Sequence, residues 1–143
     1  MREAVMTAEE LGRRLAAEFP ETFHRDTGLA ILGVWHGGCR LRLGFRPDTL
    51  RPGGTIAGTT LMLLADVAVY VAVLASLGWV PLAVTTNLNS NFLKKPEPSA
   101  LEAECRLLKL GKRLAVGEVS IRSEGAADLV AHATATYSIP PRA

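Results

Sequence analysis

A single carboxylate stands inside the most apolar stretch of this 143-residue sequence. The run from Ile56 to Leu77 contains Asp66 as its only charged residue. Burying a charge costs free energy unless the charge is paired or hydrogen-bonded. Two interpretations are open: a structural carboxylate that accepts bonds from backbone or hydroxyl groups, and a general base or nucleophile held in a cleft.

A glycine-rich turn precedes the same run and supplies a second chemical group. Gly53, Gly54 and Gly58 let the backbone bend into a helix start and approach a ligand closely. The first N–H groups of a helix lack intrahelical partners and can bind a developing oxyanion. Asp66 follows Gly58 by about 12 Å along a helix, too far for both to reach one oxygen within one subunit. If two copies lay their helices antiparallel, the Asp66 of one would face the Gly58 of the other.

The periodicity of apolar residues predicts the elements that position these groups. Thr7 to Glu10 has the form of a capping box, at the start of a helix over 7–19 that Pro20 ends. A long helix over 57–77 is apolar on nearly every side, so other elements must wrap it. Gly37-Gly38 reads as a two-residue hairpin turn, and residues 46–54 read as a loop. Period-two alternation predicts strands over 29–36, 39–46, 84–93, 100–110, 114–122 and 129–139. It places Thr85 on the same strand face as the three asparagines of 84–93, and Tyr137 on the apolar face of 129–139.

This order of elements predicts an α+β fold, in which an antiparallel β-sheet wraps a long central α-helix and an N-terminal helix comes first. We expect one domain over residues 1–143, with 1–27 as the N-terminal helix and lead-in. The run 56–77 is also long enough to span a bilayer. A charge near its middle would cost about 2.5–3.5 kcal/mol on insertion scales, and the half-buried strands need a core. We therefore favour a core helix over a membrane span.

Composition and charge argue against several function classes. The net charge is only +2 and is spread along the chain, which gives no case for nucleic acid as the main partner. Cys39 and Cys105 lack the spacing of a zinc site or redox motif, so we expect buried free thiols. His24, His36 and His132 lack partners at metal or triad spacing. We expect no metal and no cofactor. The charged, amphipathic N-terminus has no signal-peptide apolar core, which predicts a cytoplasmic protein without a membrane partner.

Four segments resemble the hotdog-fold thioesterases. They are GTIAGTTLMLLAD, VTTNLNSNFLKKPEP, ECRLLKLGKRLAVGEVSI and VAHATATYSI, and the resemblance extends from about Gly28 onward. The most similar group is the phenylacetic-acid-pathway branch of the 4-hydroxybenzoyl-CoA thioesterase superfamily. The resemblance implies a hotdog fold, an acyl-CoA substrate and a homodimer paired again into a homotetramer. It also implies that the active sites lie at the dimer interface.

The same resemblance implies roles for individual residues. Asp66 acts on the thioester as general base or nucleophile, and the Gly58 N–H polarises the thioester carbonyl. Thr59 could add a hydroxyl, and Thr85 orients the attacking water. The remaining candidates would line the acyl or CoA path or contact CoA phosphates: Asn91, Lys94, Lys95, Lys112 and Arg113. A solvated polar strand face and ordinary turn charges are the alternatives for this last group.

Two positions depart from the family pattern. The family's His-Gly-Gly is Ala57-Gly58-Thr59 here, so the histidine side chain is lost while the Gly58 backbone donor is kept. The polar residue six positions earlier, commonly asparagine, is Arg51, which could meet a substrate carboxylate or phosphate. The same three residue types, His-Gly-Gly, occur earlier in the chain at His36-Gly37-Gly38. No carboxylate lies nine residues after His36, so we interpret this segment as a hairpin turn.

The expected activity is hydrolysis of an acyl-CoA, with an aliphatic or aromatic acyl group, to the free acid and CoA. The alternative is a non-catalytic hotdog protein that binds an acyl-CoA or an aromatic ligand, and the loss of the family histidine keeps that interpretation open. A hydratase is less favoured, because no Asp/His pair has suitable spacing. Turnover of a panel of acyl-CoAs separates the first two.

Overall fold

The computed structural model describes residues 2–141. The helices are α1 (Ala8–Glu18), α2 (Pro20–Phe23) and α3 (Gly58–Leu77). The strands are β1 (Leu29–Trp35), β2 (Gly38–Leu43), β3 (Leu50–Arg51), β4 (Thr55–Ile56), β5 (Val84–Phe92), β6 (Leu101–Leu110), β7 (Leu114–Ser123) and β8 (Leu129–Ser138). The long elements predicted from the sequence are therefore present, with small shifts at their ends.

Six of the strands form one antiparallel sheet in the order β1-β2-β6-β7-β8-β5. Helix α3 contacts all six of them, so the sheet curls around the helix. The predicted α+β architecture, a sheet wrapped around a long central helix with a helix before it, is confirmed. Strands β1 and β5 are the two edges, and the outer side of β5 has no partner strand within residues 2–141.

Helix α3 forms the centre of the core. Every side chain from Val67 to Ser76 is buried, which explains why the run shows no polar face. The sheet is lined with small residues where the helix approaches: a Cβ on Gly117 would lie 3.0 Å from the Val69 side chain. By length and composition α3 could cross a membrane, but 72% of its most apolar stretch is buried inside the fold. Since burying one valine or leucine contributes roughly 1.5–3 kcal/mol, α3 is a core helix, as predicted.

Helix α1 packs beside this core, against α3 and β1. Thr7 and Glu10 exchange hydrogen bonds between side chain and backbone, both of 3.1 Å, which confirms the capping box. The Arg14 guanidinium lies 4.1 Å from the centroid of the Trp79 ring and ties α1 to the segment after α3. Pro20 ends α1 and also begins α2, since proline is tolerated at the first helical position. The inward face of α1 buries two leucines, Leu11 and Leu15.

Two local predictions are wrong. The β1–β2 turn is formed by His36 and Gly37, because Gly37 takes the positive φ of 95° and Gly38 already pairs with Trp35. A Cβ on Gly38 would collide with the Trp35 indole, so this glycine is needed within the strand. The loop predicted before α3 contains the β3–β4 hairpin, whose two-residue strands are too short for alternation to reveal.

Candidate active site

The Asp66 carboxylate is partly buried and is held by two hydroxyl groups. The Thr85 hydroxyl donates to Asp66 Oδ1 at 2.6 Å, and the Tyr137 hydroxyl donates to the same oxygen at 2.9 Å. Among residues 2–141, no group donates to Oδ2. Hydrogen bonds to an ionised carboxylate are stronger than neutral ones and fix its orientation. One oxygen is therefore fully engaged in positioning, and the other remains available to a ligand or water.

Thr85 reaches Asp66 because β5 contains a bulge. The pairing of β5 with β8 shifts register between Thr85 and Asn87, which makes Thr86 an extra residue. One inserted residue reverses the face on which the following side chains lie. Thr85 therefore points inward, whereas Asn91 and the other two asparagines of this strand are exposed on the outer face. The prediction that Thr85 shares a face with the asparagines is wrong for this reason.

Tyr137 is held rigidly beside the carboxylate. Its ring stacks on Tyr70 with centroids 5.8 Å apart, and the Tyr70 hydroxyl donates to the Pro81 carbonyl oxygen at 2.9 Å. Burial raises the pKa of Tyr137 well above its usual range, and the nearby Asp66 charge acts in the same direction. The phenol therefore stays protonated at neutral pH and acts as a hydrogen-bond donor to Asp66.

An open cleft of about 610 Å³ exposes this carboxylate, and we call it the Asp66 cleft. Asp66, Thr85 and Tyr137 lie together in its wall. The rest of the lining is mainly apolar and comes from α1, α3, the 79–83 segment and the start of β5. Its members are Leu15, Glu18, Phe19, Leu63, Val67, Tyr70, Trp79, Pro81, Leu82, Ala83 and Val84.

A second open cleft of about 610 Å³ lies at the start of α3, and we call it the Gly58 cleft. The N–H groups of Gly58 and Thr59 find no acceptor among residues 2–141, because the first bonds into the helix come from Thr60 and Leu61. The Ala57 side chain cannot cap this end. The cleft brings Gly58 together with three of the predicted basic residues: Arg51, Lys94 and Lys95. The Thr59 side chain is exposed at its edge and does not line the cleft.

The two predicted groups of basic residues lie at opposite ends of the sheet. Lys94–Lys95 follows the end of β5, which pairs with β8 at Ala131, whereas Lys112–Arg113 precedes the start of β7, which pairs with β8 at Ser138. Seven residues of strand separate these points by about 23 Å. One chain therefore does not gather all four basic residues around a single site.

Comparison with known proteins identifies the family of this chain. The thioesterase superfamily model matches residues 53–130, which include both Gly58 and Asp66. The chain belongs to the thioesterase superfamily. A candidate thioesterase from Silicibacter sp. TM1040 is 44% identical, with a TM-score of 0.87, over 97% of this chain and 95% of that one. The comparison with curated proteins found no match.

Solved structures with lower sequence identity share the architecture. A variant of the phenylacetic acid degradation protein PaaI from Thermus thermophilus is 27% identical, with a TM-score of 0.73, over 85% of this chain and 99% of that one. Zebrafish thioesterase superfamily member 2 is 17% identical, with a TM-score of 0.82, over 94% of this chain and 99% of that one, which is a likeness of fold. Hotdog architecture and family membership are thus confirmed together.

Within this superfamily fold, our reading of the sequence missed Tyr137. It placed the residue on the buried face of the last strand and gave it no role in the site. A signal was available: Tyr137 follows three alanines on a face that carries no other polar group, and a buried tyrosine hydroxyl needs a hydrogen-bond partner. The partner could not be identified, because Asp66 lies 71 residues earlier in the chain.

The remaining candidate groups lie outside both clefts. Cys39 and Cys105 are free and fully buried, as predicted. The Cys39 thiol donates to the Ala68 carbonyl oxygen, and burial raises its pKa well above the usual range. His132 lies on the outer face beside Glu118 at 3.3 Å. Within residues 2–141, no group of three His, Cys, Asp or Glu side chains is placed to hold a metal ion.

Proposed function

We propose that this protein hydrolyses acyl-CoA thioesters to a free acid and CoA, at a site shared between two copies of the chain. The observation that carries the proposal is the Asp66 carboxylate, which lines a mainly apolar cleft and has Oδ1 held by two hydroxyls while Oδ2 accepts no hydrogen bond within residues 2–141. Membership of the thioesterase superfamily supports the reaction class. The Gly58 N–H of the other copy would complete the site as the oxyanion donor.

Asp66 Oδ2 has two chemical routes open to it. As a general base, it takes a proton from water while the water oxygen bonds to the thioester carbon, and the Gly58 N–H binds the oxyanion that forms. Collapse of this intermediate breaks the C–S bond, and the departing CoA thiolate takes the proton back from Asp66. As a nucleophile, Oδ2 bonds to the carbonyl carbon and expels CoA, and water then hydrolyses the mixed anhydride and restores the carboxylate.

A dimer through the β5 edge would join the two clefts. Antiparallel pairing of two β5 strands about Leu88 would set the Phe92 of one copy opposite the Val84 of the other. Phe92 packs against Gly58, and Val84 precedes Thr85, so the oxyanion donor of one copy would approach the carboxylate of the other. Large apolar side chains that are exposed in the single chain surround both clefts, which supports an interface here. They are Leu63, Leu82, Val84, Phe92 and Leu93.

The same pairing would gather the basic residues. Val84 and Leu114 both pair with Ser138, so Lys112–Arg113 lies at the Val84 end of β5. The Lys94–Lys95 end of the partner strand would arrive at that point and remove the separation of about 23 Å. We infer that these four residues, with Arg51, contact the phosphates of CoA. Asn91 faces away from both clefts, and we assign it no contact.

The alternative, binding without turnover, rests on Ala57. The family's histidine is absent at this position, so any role of that side chain in orienting substrate or water is lost. The proposed chemistry does not require it, because the donor at Gly58 is a backbone group and Thr85 and Tyr137 orient the carboxylate. Stabilisation by an acyl-CoA without CoA release would favour the binding role.

The test is CoA release from aliphatic and aromatic acyl-CoAs by wild type and by Asp66→Asn. We expect the substitution to lower turnover by about a hundredfold or more, because the amide neither accepts a proton nor attacks the carbonyl. Asp26→Asn is the matched control, since that carboxylate is 81% exposed and lies outside both clefts. Unchanged turnover in a folded Asp66→Asn protein would assign Asp66 a structural role.

A second measurement addresses the shared site directly. Sedimentation at micromolar concentration should give a dimer, or the tetramer that two such dimers form. Because Asp66 and Gly58 are about 12 Å apart along α3, a monomer that turns over acyl-CoA would contradict the shared site.

A further inference from the structure

Helix α1 forms one wall of the Asp66 cleft. Leu15, Glu18 and Phe19 line the same cleft as Asp66. The thioesterase superfamily model matches residues 53–130, so α1 lies outside the residues that the model matches. Helix α1 therefore adds a wall to the cleft from a separate part of the chain, and the side chains of that wall can influence the choice of substrate.

Phe19 lies at the end of α1, where its side chain borders the cleft. Its ring meets Tyr70 edge to face, with centroids 6.4 Å apart, and meets Phe23 at 5.6 Å. The residue lies between α1 and α2 and is 38% exposed, so it borders the cleft without being locked into the core. A larger or smaller side chain at this position would change the length of the cleft without disturbing the buried leucines of α1.

The two charged residues that line the cleft are both acidic. Asp66 and Glu18 are the two ionisable carboxylates in the wall, and no lysine, arginine or histidine accompanies them. An acyl group that ends in its own carboxylate would lose water there and meet the like charges of Asp66 and Glu18, while the nearby cation of α1, Arg14, lies over the Trp79 ring. An uncharged hydrocarbon or aryl tail would gain contact with Leu15, Phe19 and Trp79 and carry no such penalty.

We propose that α1 is the acyl-selecting wall of this enzyme, with Phe19 limiting acyl length and Glu18 rejecting acyl groups that carry a terminal carboxylate. The substrate class is thus an acyl-CoA with an uncharged, apolar acyl group. This inference rests on the proposed thioesterase function.

The experiment compares pentanoyl-CoA with glutaryl-CoA, which have the same number of acyl carbons and differ in the terminal carboxylate. We expect wild type to prefer pentanoyl-CoA by about a hundredfold in kcat/KM, because a buried, unpaired charge is strongly rejected. Glu18→Gln should narrow that preference by roughly threefold, a modest change because Glu18 is exposed to solvent.

A chain-length series tests Phe19. Phe19→Ala should lower kcat/KM for pentanoyl-CoA by about tenfold, mainly through KM, and move the optimum to longer chains. Phe19→Trp should move the optimum to shorter chains. Arg13→Ala is the matched control, since Arg13 is exposed on α1 and does not line the cleft, and its chain-length profile should equal that of wild type.

Two results would overturn the assignment, and both differ from a failure of the proposed function. Turnover with the same chain-length profile in wild type and both Phe19 variants would remove α1 from acyl selection while leaving the thioesterase intact. Equal rates on pentanoyl-CoA and glutaryl-CoA would overturn the charge argument. If wild type releases no CoA from any thioester, the proposed function fails. In that case, binding of the non-hydrolysable thioether S-pentyl-CoA tests the role of α1 separately. Equal shifts in melting temperature for wild type and Phe19→Ala would show that Phe19 does not contact the acyl group, and would overturn the proposed role of α1.

Discussion

The Asp66 cleft and the Gly58 cleft have the same volume, about 610 Å³, and opposite chemistry. The first is mainly apolar and contains carboxylates and hydroxyls without a cation. The second contains an arginine, two lysines and free backbone N–H groups without a carboxylate. A neutral acyl group suits the first, and a phosphate-bearing group and a developing oxyanion suit the second.

The difference indicates why neither cleft is a thioesterase site by itself. Hydrolysis of a thioester needs a base or nucleophile on one side of the carbonyl carbon and an oxyanion donor within hydrogen-bonding distance of its oxygen. Helix α3 places these two groups about 12 Å apart along its own axis. In the proposed function, the clefts are complementary halves that two antiparallel copies of the chain would bring together.

Deleting the oxyanion donor should have an effect as large as that of Asp66→Asn. Gly58→Pro removes the N–H at the first position of α3, where proline is tolerated, and Ala57 already has the extended conformation (ψ 145°) that a following proline requires. We expect kcat to fall by about a hundredfold with the fold retained, as measured by CoA release and circular dichroism.

Gly58→Ala is the control for this substitution. It keeps the N–H and adds a Cβ that would lie 3.3 Å from the exposed Phe92 ring, which can shift. Its kcat should stay well above that of the proline variant. Equal losses in the two variants would show that the space beside Phe92, and not the N–H, is what matters.

Mixing the two inactive variants tests whether the clefts cooperate between copies. In a heterodimer of Asp66→Asn with Gly58→Pro, one site combines the intact Asp66 of one chain with the intact Gly58 of the other. Random exchange of subunits should restore about a quarter of wild-type activity, since half of the dimers are mixed and each has one good site of two. Activity that stays at the level of the separate variants after proven exchange would place both groups in one chain's site.

A smaller effect is expected within the Asp66 cleft. Tyr137→Phe removes one of the two donors to Oδ1 but keeps the ring that stacks on Tyr70. We expect kcat to fall by about tenfold and the free energy of unfolding by about 1–2 kcal/mol, with little change in KM. Tyr70→Phe is the comparison, because its hydroxyl donates to Pro81 and does not contact the carboxylate. A larger loss of kcat in Tyr70→Phe would argue that the hydrogen bond from Tyr70 to Pro81, and not the Tyr137 donor, positions Asp66.

The smallest effect is expected from the charges of the Gly58 cleft. Replacing Lys94 and Lys95 together by alanine should raise KM for acyl-CoA about fivefold, and the difference should shrink with added salt, because exposed charges are screened. Lys109→Ala is the control, since that lysine is exposed on β6 outside both clefts. Equal KM values for the double variant and wild type at low salt would remove these lysines from CoA binding.

Much of the fold followed from local patterns. The capping box at Thr7, the apolar run of α3 and the alternation of the long strands predicted their elements to within a few residues. Burial of the Asp66 carboxylate was also expected, because the apolar residues around it in the sequence favour the protein interior. The separation of Gly58 from Asp66 followed from helix geometry alone.

Other features depended on packing between distant segments. The bulge at Thr86 turns Thr85 inward, and nothing in the alternation of the neighbouring asparagines revealed it. Tyr137 meets Asp66 only because β8 lies beside β5 in the sheet. The role of α1 in the Asp66 cleft was invisible for the same reason, because an amphipathic helix shows which face it buries but not what that face covers.

The sequence by itself thus determined the elements, the apolar core helix and the position of its one carboxylate, because helix and strand periodicity are local properties of the chain. The tertiary structure decided which hydroxyls hold Asp66, that the basic residues divide between two ends of the sheet, and that α1 closes one side of the cleft. These depend on strand order and register, which are set by contacts between residues far apart in sequence.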